Sequence, residues 1–343
     1  MSYIAPGRYR PDLPAVSGVL LVNLGSPAAP TARALRPYLA EFLSDPRVVE
    51  MPRWLWRIIL HGAILRIRPA RSAKLYQSIW REAGSPLVTT TERQAQALAR
   101  LFADQGIEQV AVSWAMRYGT PVIGERMREL AANHNLRELI VLPLYPQYSA
   151  TTTASTLDAV NKELASWRGQ PALQFINDYH DHPGYIDAVA DRIDAHWRRH
   201  GRGDRLLFSF HGIPQRYADD GDPYPELCRA SAIKIARRLK LRDDDWLLTF
   251  QSRVGREPWL QPYTGETLRE FPGQGVRKID VVCPGFATDC LETLQEIDIE
   301  NRELFLEAGG EAFSYIPCLN DDPAHIEALA SLLMPLRGIG SEE

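Results

Sequence analysis

Short apolar runs alternate with longer helix-periodic segments along the whole chain of 343 residues, and no other feature constrains the fold as strongly. Runs of Val, Ile, Leu and Phe bounded by turn residues are typical of strands in parallel sheets that helices cover on both faces. Eight such strands are predicted, at 18–24, 109–116, 138–144, 173–178, 204–210, 246–252, 278–284 and 312–317. The expected fold class is therefore α/β.

A weak internal repeat divides these strands evenly between two similar halves. Residues 175–190 (FINDYHDHPGYIDAVA) align without a gap with residues 315–330 (YIPCLNDDPAHIEALA). In both copies a strand leads through a polar turn to a proline, Pro183 or Pro323, at the first position of a predicted helix. Two doubly wound domains in succession, each built on a four-stranded parallel sheet, are the simplest explanation.

The predicted N-terminal domain covers residues 1–178 and the C-terminal domain residues 179–322. A last helix, within 323–343, is expected to pack back on the first domain. In open parallel sheets ligands bind beyond the carboxyl ends of the strands, and in two-domain versions they bind in the cleft between the domains. Polar residues directly after strands are therefore the candidates for a functional site.

Charge and motifs argue against several classes of protein. A formal net charge of -4 gives no broad cationic field, so nucleic acid is not an expected partner. No GxGxxG follows the first strand, and neither GxxxxGK[ST] nor GxSxG occurs, which leaves nucleotide binding and serine hydrolysis unsupported. The four cysteines lie in a long chain without an apolar signal peptide at its start, so reduced thiols and a cytoplasmic location are predicted.

Residues 54–68 (WLWRIILHGAILRIR) form the one membrane-like segment. It is strongly apolar but interrupted by Arg57, His61 and Arg66, and it is too short and too charged to span a bilayer. Two compatible interpretations stay open. The segment is a partly buried helix, or it is an amphipathic lip that touches a membrane or a flat apolar ligand. A peripheral contact with the inner membrane surface is the corresponding expectation.

Two polar positions in the second half follow predicted strands. His211 comes directly after the fifth strand, in SFHGIP, where glycine and proline enforce a turn. Residues 283–300 run from the seventh strand through a Pro-Gly turn into a helix. Glu292, Glu296 and Glu300 are four apart and so share one face of that helix, with Glu292 nearest the strand end. A neutral histidine and a carboxylate suit either a metal site or a proton relay.

The pair His180 and His182 suggests a chelate, but the repeat places Asn320 and Asp322 at the same positions. These residues are therefore better interpreted as polar residues at the start of a helix. A hydrolytic zinc site needs about three protein ligands, and no HExxH or comparable cluster occurs in the sequence.

Six motifs occur in order: GVLLVNLGSP, AMRYGTP, PLYPQYSATTT, SFHGIP, FQSRVGREPWLQPYT and CPGFATDCLETLQEID. Together they make the chain resemble the ferrochelatases over nearly its whole length. The resemblance implies two Rossmann-like domains flanking a porphyrin cleft. It also implies a lyase that inserts Fe(II) into protoporphyrin IX, with loss of two pyrrole protons, as the terminal step of haem biosynthesis.

The resemblance further implies roles for individual residues. His211 and Glu292 would be the opposed residues that handle metal and protons, with Asp289 in the same helical turn as Glu292. The residues expected around the porphyrin or the metal route are Trp259, Tyr148, Arg117 and Tyr118. An aromatic face such as that of Trp259 packs well on a flat macrocycle, although a structural role stays open for all four. Leu24 stands where relatives that use coproporphyrin tend to have tyrosine, which favours protoporphyrin IX.

The resemblance also bears on cofactors. Some relatives hold a [2Fe-2S] cluster through a cysteine-rich tail, whereas no cysteine follows Cys318 here, so neither a cluster nor a permanently bound cofactor is expected. Cys290 stands where many members have a histidine, which leaves a thiol or nothing at an auxiliary metal position. The alternatives are a coproporphyrin III ferrochelatase, a cobalt or nickel chelatase for a related tetrapyrrole, and a carrier of haem or metal.

Overall fold

The computed structural model describes residues 3–7, 10 and 12–335. Contacts group them into two units. The first comprises the described residues up to Tyr145, Ala150–Asp178 and the described residues from Leu329 on, and the second comprises Pro146–Ser149 and Tyr179–Ala328. The domain boundaries expected at 178/179 and 322/323 stay predictions, and 336–343 of the predicted last helix lie outside the described residues.

The first unit is built on a parallel sheet of four strands in the order β2-β1-β3-β4. Its strands are β1 (Ala15–Ser26), β2 (Val110–Gly119), β3 (Asn135–Pro143) and β4 (Ala172–Phe175). Its α-helices are α1 (Ala32–Leu43), α2 (Arg53–Ile59), α3 (Leu65–Ile79), α4 (Pro86–Asp104), α5 (Ile123–Asn133) and α6 (Ser155–Leu164). Two π-helical segments accompany them, Leu60–Ile64 and Ala150–Ala154.

The central strand β1 is buried on both faces, as its unbroken apolar run predicts. Leu20 and Val22 belong to the core formed with α5 and α6, where Met127 and Val160 are fully buried. Successive side chains of a strand point to opposite faces, so the neighbours of these two residues face the side that α4 contacts. The predicted α/β class with parallel sheets and helices is confirmed.

The second unit repeats this plan with a parallel sheet in the order β6-β5-β7-β8. Its strands are β5 (Arg205–His211), β6 (Trp246–Gln251), β7 (Lys278–Val282) and β8 (Ala312–Ile316). Its helices are α7 (Pro183–His200), α8 (Gln215–Asp219), α9 (Tyr224–Arg238), α10 (Thr264–Glu270), α11 (Arg302–Glu307) and α12 (Pro323–Leu333), of which the last continues beyond the second unit. Short 3-10 segments occupy Asp243–Asp245 and Phe271–Gln274.

A π-helix follows the third strand of each unit. After β3 it spans the five residues Ala150–Ala154, and after β7 it spans the eleven residues Leu291–Asn301. The helix predicted to carry Glu292 is therefore present, but it is wound as a π-helix. In this form the backbone hydrogen bonds join residues five apart, an arrangement that is rare and frequent at functional sites.

A glycine near the end of β1 allows the backbones of β1 and β2 to approach closely. Gly25 has φ +108, and a Cβ at this position would lie 1.8 Å from the carbonyl oxygen of Tyr118 in the neighbouring strand. The motif NLGSP therefore needs glycine here because the backbone of β2 passes too close for any side chain.

We expect Gly25→Ala to lower the midpoint of thermal unfolding by at least roughly 5 °C, because the added carbon combines a backbone clash with an unfavourable φ. Gly62→Ala is the matched control, since it lies in a helical segment with nothing within 4 Å of its missing Cβ. Circular dichroism melts of the three proteins measure the effect. Equal loss in both variants would contradict this account of Gly25.

Candidate active site

His211 is the last residue of β5 and is half-buried. Its Nδ1 lies 2.6 Å from the carbonyl oxygen of Gly212. Because a carbonyl oxygen only accepts hydrogen bonds, Nδ1 carries the hydrogen and the lone pair of the neutral ring lies on Nε2. The ring thus has one nitrogen that orients it and one that can bind a cation or accept a proton.

Gln251 ties the Glu292 segment to the strand end beside His211. It is the last residue of β6 and the register partner of His211. Its Oε1 accepts a hydrogen bond from Ser209 at 2.7 Å, which orients the amide so that Nε2 donates to the carbonyl oxygen of Glu292 at 2.7 Å. The start of the long π-helix and the end of β5 are therefore held at one corner of the second sheet.

Glu296 forms the third ionisable position at this corner. Its carboxylate accepts hydrogen bonds from the backbone N–H of Ser252 at 2.6 Å and from the Ser252 hydroxyl at 2.5 Å. Burial raises the pKa of Glu296, and the negative charge of Glu292 acts in the same direction. The Ser252 hydrogen bonds oppose this shift, and so would a positive charge on His211. The side chains of His211, Glu292 and Glu296 therefore share one electrostatic environment. Glu300, the third glutamate of the predicted helix face, is exposed.

Aromatic side chains surround the imidazole of His211. The ring of Trp259 lies 6.4 Å from it and that of Phe286 6.5 Å, measured between centroids. Gly212 makes room for Trp259, because a Cβ there would lie 3.1 Å from the indole ring. The half-buried Trp259 is held in place through the Tyr263 hydroxyl, which is within 3.3 Å of its backbone N–H and carbonyl oxygen. An apolar wall thus lies beside the ionisable groups.

Asp289 is only 6% exposed. Its carboxylate accepts hydrogen bonds from the hydroxyl of Tyr315 at 2.5 Å, the backbone N–H of Cys318 at 3.2 Å and the amide of Asn320 at 2.8 Å. These contacts tie the turn before the π-helix to the end of β8.

Tyr148 lies in the stretch Pro146–Ser149, which the contacts group with the second unit. Gln147 donates to Ser231 at 2.9 Å and Ser149 donates to Asp222 at 2.9 Å, so both neighbours of Tyr148 are buried and anchored. Tyr148 itself is half-buried.

In the first unit, Arg117 and Tyr118 at the end of β2 converge on Asp45. The guanidinium of Arg117 forms an ion pair with Asp45 and donates to Ser155, with an Nε to Oγ distance of 2.7 Å. The hydroxyls of Tyr118 and Ser155 donate to the same carboxylate at 2.8 and 2.6 Å. Tyr118 is 1% exposed, and burial raises the pKa of its phenol. Leu24, near the end of β1, is half-buried.

Sequence reasoning missed Asp45. It follows α1 in the stretch LSDP, and no spacing or motif marks it. Burial acts to raise the pKa of Asp45, but the hydrogen bonds from Ser155, the Arg47 backbone and Tyr118, with the charge of Arg117, outweigh burial and lower it. Asp45 is therefore an ionised carboxylate in a buried polar cluster.

The remaining metal-ligand candidates are weaker. Burial raises the pKa of the Cys290 thiol well above its ordinary value, so this residue is not a thiolate near neutral pH. His182 is the N-cap residue of α7, in line with its interpretation as a residue at the start of a helix. Within the described parts of the chain, no group of three or more His, Cys, Asp or Glu side chains could hold a metal ion.

Comparisons of sequence point to one family. The Ferrochelatase family profile matches residues 16–335. A ferrochelatase from Marinobacter nauticus is 53% identical over 333 residues, which covers 97% of this chain and 90% of that protein. A ferrochelatase from Methylococcus capsulatus is 55% identical over 319 residues, covering 93% and 96%.

Two solved structures with low sequence identity share the fold of this chain. SirB from Bacillus subtilis with Fe3+ gives a TM-score of 0.52 at 13% identity and covers 92% of this chain and 93% of its own. A multi-domain protein from Deinococcus radiodurans with structural similarity to chelatases gives a TM-score of 0.55 at 12% identity, over 96% of this chain and 56% of that one.

We expect Asp45→Asn to destabilise the chain by about 3 kcal/mol, because it leaves the guanidinium of Arg117 without its counter-charge in a buried site. Asp158→Asn is the matched control, since that carboxylate is 51% exposed in its ion pair with Arg47 and should contribute less than about 1 kcal/mol. Thermal melts at neutral pH compare the two variants with the parent.

The same melts at acid pH test the charge of Asp45. Its pKa is lowered from the ordinary value of 3.8 on folding. Its stabilisation is therefore complete above that value and is lost as the pH falls through the folded-state pKa. The melting points of the parent and Asp45→Asn should converge at low pH, and a constant gap would show that the charge of Asp45 is not the cause.

Proposed function

This chain belongs to the ferrochelatase family, and on that premise we propose that it inserts ferrous iron into protoporphyrin IX. The products are protohaem and two protons, one from each pyrrole N–H, and the reaction is the terminal step of haem biosynthesis. The observation that carries the proposal is the corner at which His211 and the Glu292 segment are held by Gln251, beside the ring of Trp259. Iron is a substrate here and not a resident cofactor.

The proposed insertion reaction depends on the Nε2 lone pair of His211 and on the negative charge of Glu292. A planar porphyrin shields its nitrogens, so contacts around the rim must bend the ring, at a strain of about a few kcal/mol, before a cation can enter. Between them, His211 and Glu292 accept the pyrrole protons, one at a time, and orient Fe(II). Because Nε2 of His211 has a single lone pair, it either accepts a proton while Glu292 holds the cation or binds the cation while Glu292 accepts a proton. With few protein ligands, the metal can pass to the four nitrogens of the ring.

Glu296 supports these steps as a nearby carboxylate. A raised pKa brings a carboxyl group closer to the working pH, where it can take up and release protons. Its position one helical turn beyond Glu292 suits proton transfer away from the ring. This role adds Glu296 to the site, whereas the sequence analysis singled out Glu292 alone of the three glutamates on this helix face.

We also propose which side chains contact the porphyrin ring. Trp259 offers an aromatic face to the macrocycle, next to the reacting imidazole. The other residues proposed near the porphyrin or the metal route are Tyr148, Leu24, Arg117, Tyr118 and Asp289. The hydrogen bonds to Asp45 hold Arg117 and Tyr118 in place, so that Arg117 would present a fixed side chain while the buried Tyr118 supports it. The location of the ring in a cleft between two domains stays a prediction.

The protein should convert protoporphyrin IX with Fe(II) into haem under anaerobic conditions, and the Soret and Q bands report the conversion. We expect His211→Ala to lower kcat by at least about 100-fold at saturating metal and porphyrin, the range typical of a lost proton acceptor. His200→Ala, at the exposed end of α7, is the matched control and should keep full activity.

Parallel assays distinguish the alternatives. Coproporphyrin III should react more slowly than protoporphyrin IX, and the reverse order would assign the chain to coproporphyrin. Insertion of Co(II) or Ni(II) into a sirohydrochlorin-type ring without haem formation would favour the other chelatases. Lasting retention of haem without insertion would identify a carrier, and normal activity of His211→Ala would refute the proposed chemistry.

We further propose that the protein lies in the cytoplasm and contacts the inner membrane surface through residues 54–68. None of the described helices combines the length and apolarity that a bilayer crossing requires. Trp54, Ile58 and Ile67 are nevertheless 69%, 64% and 73% exposed. Exposed arginines such as Arg57 and Arg66 alternate with them. Apolar side chains rimmed by cations are typical of segments that lie in the headgroup region of anionic membranes.

The protein should therefore cosediment with vesicles of phosphatidylglycerol, and added salt should weaken this binding. Joint replacement of Trp54, Ile58 and Ile67 by serine should reduce the bound fraction at least about tenfold, because each buried side chain contributes roughly 1.5–3 kcal/mol. Leu306→Ser, at an exposed apolar residue of α11, is the control. Failure of the parent protein to bind would contradict the proposed contact.

A further inference from the structure

Asp289 and Asn320 hold each other through two opposed hydrogen bonds. The backbone N–H of Asp289 donates to the side-chain oxygen of Asn320 at 2.9 Å, and the amide of Asn320 donates to the Asp289 carboxylate at 2.8 Å. This pair joins the turn after β7 to the turn after β8.

Asn320 is itself fixed from both sides. Its backbone N–H donates to the carbonyl oxygen of Ala287 at 3.1 Å. Its own carbonyl oxygen lies 2.7 Å from Nδ1 of His325, which is 1% exposed. Burial lowers the pKa of His325 to about 4, so the ring is neutral at physiological pH and Nδ1–H donates this bond.

Asn320 also adopts an unusual backbone conformation. Its φ is +50, and among the described non-glycine residues only Lys240 and Ser252 share a positive φ. Asparagine tolerates this left-handed region better than most residues. His180, the aligned residue of the internal repeat, is not in this group. The unusual conformation thus occurs only in the copy whose turn contacts the Asp289 segment.

The carboxylate of Asp289 is engaged inside the protein. Besides Asn320, it accepts from Tyr315, from the Cys318 backbone and from Thr293, at 2.5, 3.2 and 3.4 Å. Four donors and 6% exposure leave little of this side chain for a substrate. Its sequence position, however, is next to Cys290, the N-cap residue of the π-helix that carries Glu292 in its first turn.

We propose that Asn320 is a positioning residue, which through Asp289 fixes the first turn of the π-helix and hence the carboxylate of Glu292. The inference rests on the proposed function and deepens it. It assigns Asp289 to the support of the site and not to direct contact with porphyrin.

The test exchanges the two side chains. Asn320→Asp replaces the donating amide with a second carboxylate, so two acceptors face each other. Asp289→Asn replaces the accepting carboxylate with a second amide. Because a misplaced reacting group can cost about 100-fold in rate, we expect each single variant to lose at least about tenfold in kcat with little change in the KM for porphyrin. The double variant Asp289→Asn with Asn320→Asp restores one donor facing one acceptor. It should return to within about threefold of the parent kcat.

Hydrogen exchange measured by mass spectrometry gives a readout independent of activity. Exchange in residues 286–293 should be faster in each single variant and normal in the double variant, while residues 19–24 of β1 serve as the internal control. A double variant as inactive as Asp289→Asn would show that the carboxylate acts directly and would overturn the inference. Unchanged exchange and activity in Asn320→Asp would also overturn it. A parent protein without insertion activity would instead count against the proposed function, with exchange still deciding the positioning role.

Discussion

A strand buried on both faces offers no solvent to an ionisable side chain, and this constraint determines where the chemistry of the second unit lies. Residues Leu206–Phe210 of β5 are buried, and the first titratable group after them is His211 at the carboxyl end. Asp280 within β7 is a buried ionisable residue inside the sheet, and its environment compensates for the burial. Its carboxylate accepts from Trp197 and Gly203 at 2.7 and 2.8 Å, and burial raises its pKa. The buried carboxyl group inside this sheet therefore has dedicated hydrogen-bond donors.

The same constraint explains how far sequence reasoning reached. All eight strands were predictable, because continuous apolar runs between helical segments leave few other folds. Strand ends were predicted less accurately: β4 ends at Phe175, whereas the predicted strand ran to 178. His211 was accessible as a candidate because it stands at the end of a strand, and Glu292 because it is the glutamate nearest the strand end in the helix that follows β7. The resemblance to one family then selected the chemistry among the options that the residues left open.

The site residues that sequence analysis did not identify depend on long-range hydrogen bonds. Asp45 acquires its partners Arg117 and Ser155 from positions 72 and 110 residues away, and nothing in its own neighbourhood indicates them. Gln251 is likewise an ordinary strand residue until Ser209 orients its amide toward the Glu292 backbone. Contacts of this kind depend on tertiary structure, and so does the winding of a helix as π instead of α.

The π-helices after β3 and β7 restrict how the length of such a chain can vary. A π-turn is an α-turn that holds one additional residue, and successive residues of an α-helix differ by about 100° in direction. Deleting one residue within Leu291–Asn301 would therefore rotate all later side chains of the segment relative to the sheet. The same holds for Ala150–Ala154. Insertions and deletions should thus accumulate in surface loops of related chains and be nearly absent from these two segments, so their length forms a better signature than any single side chain.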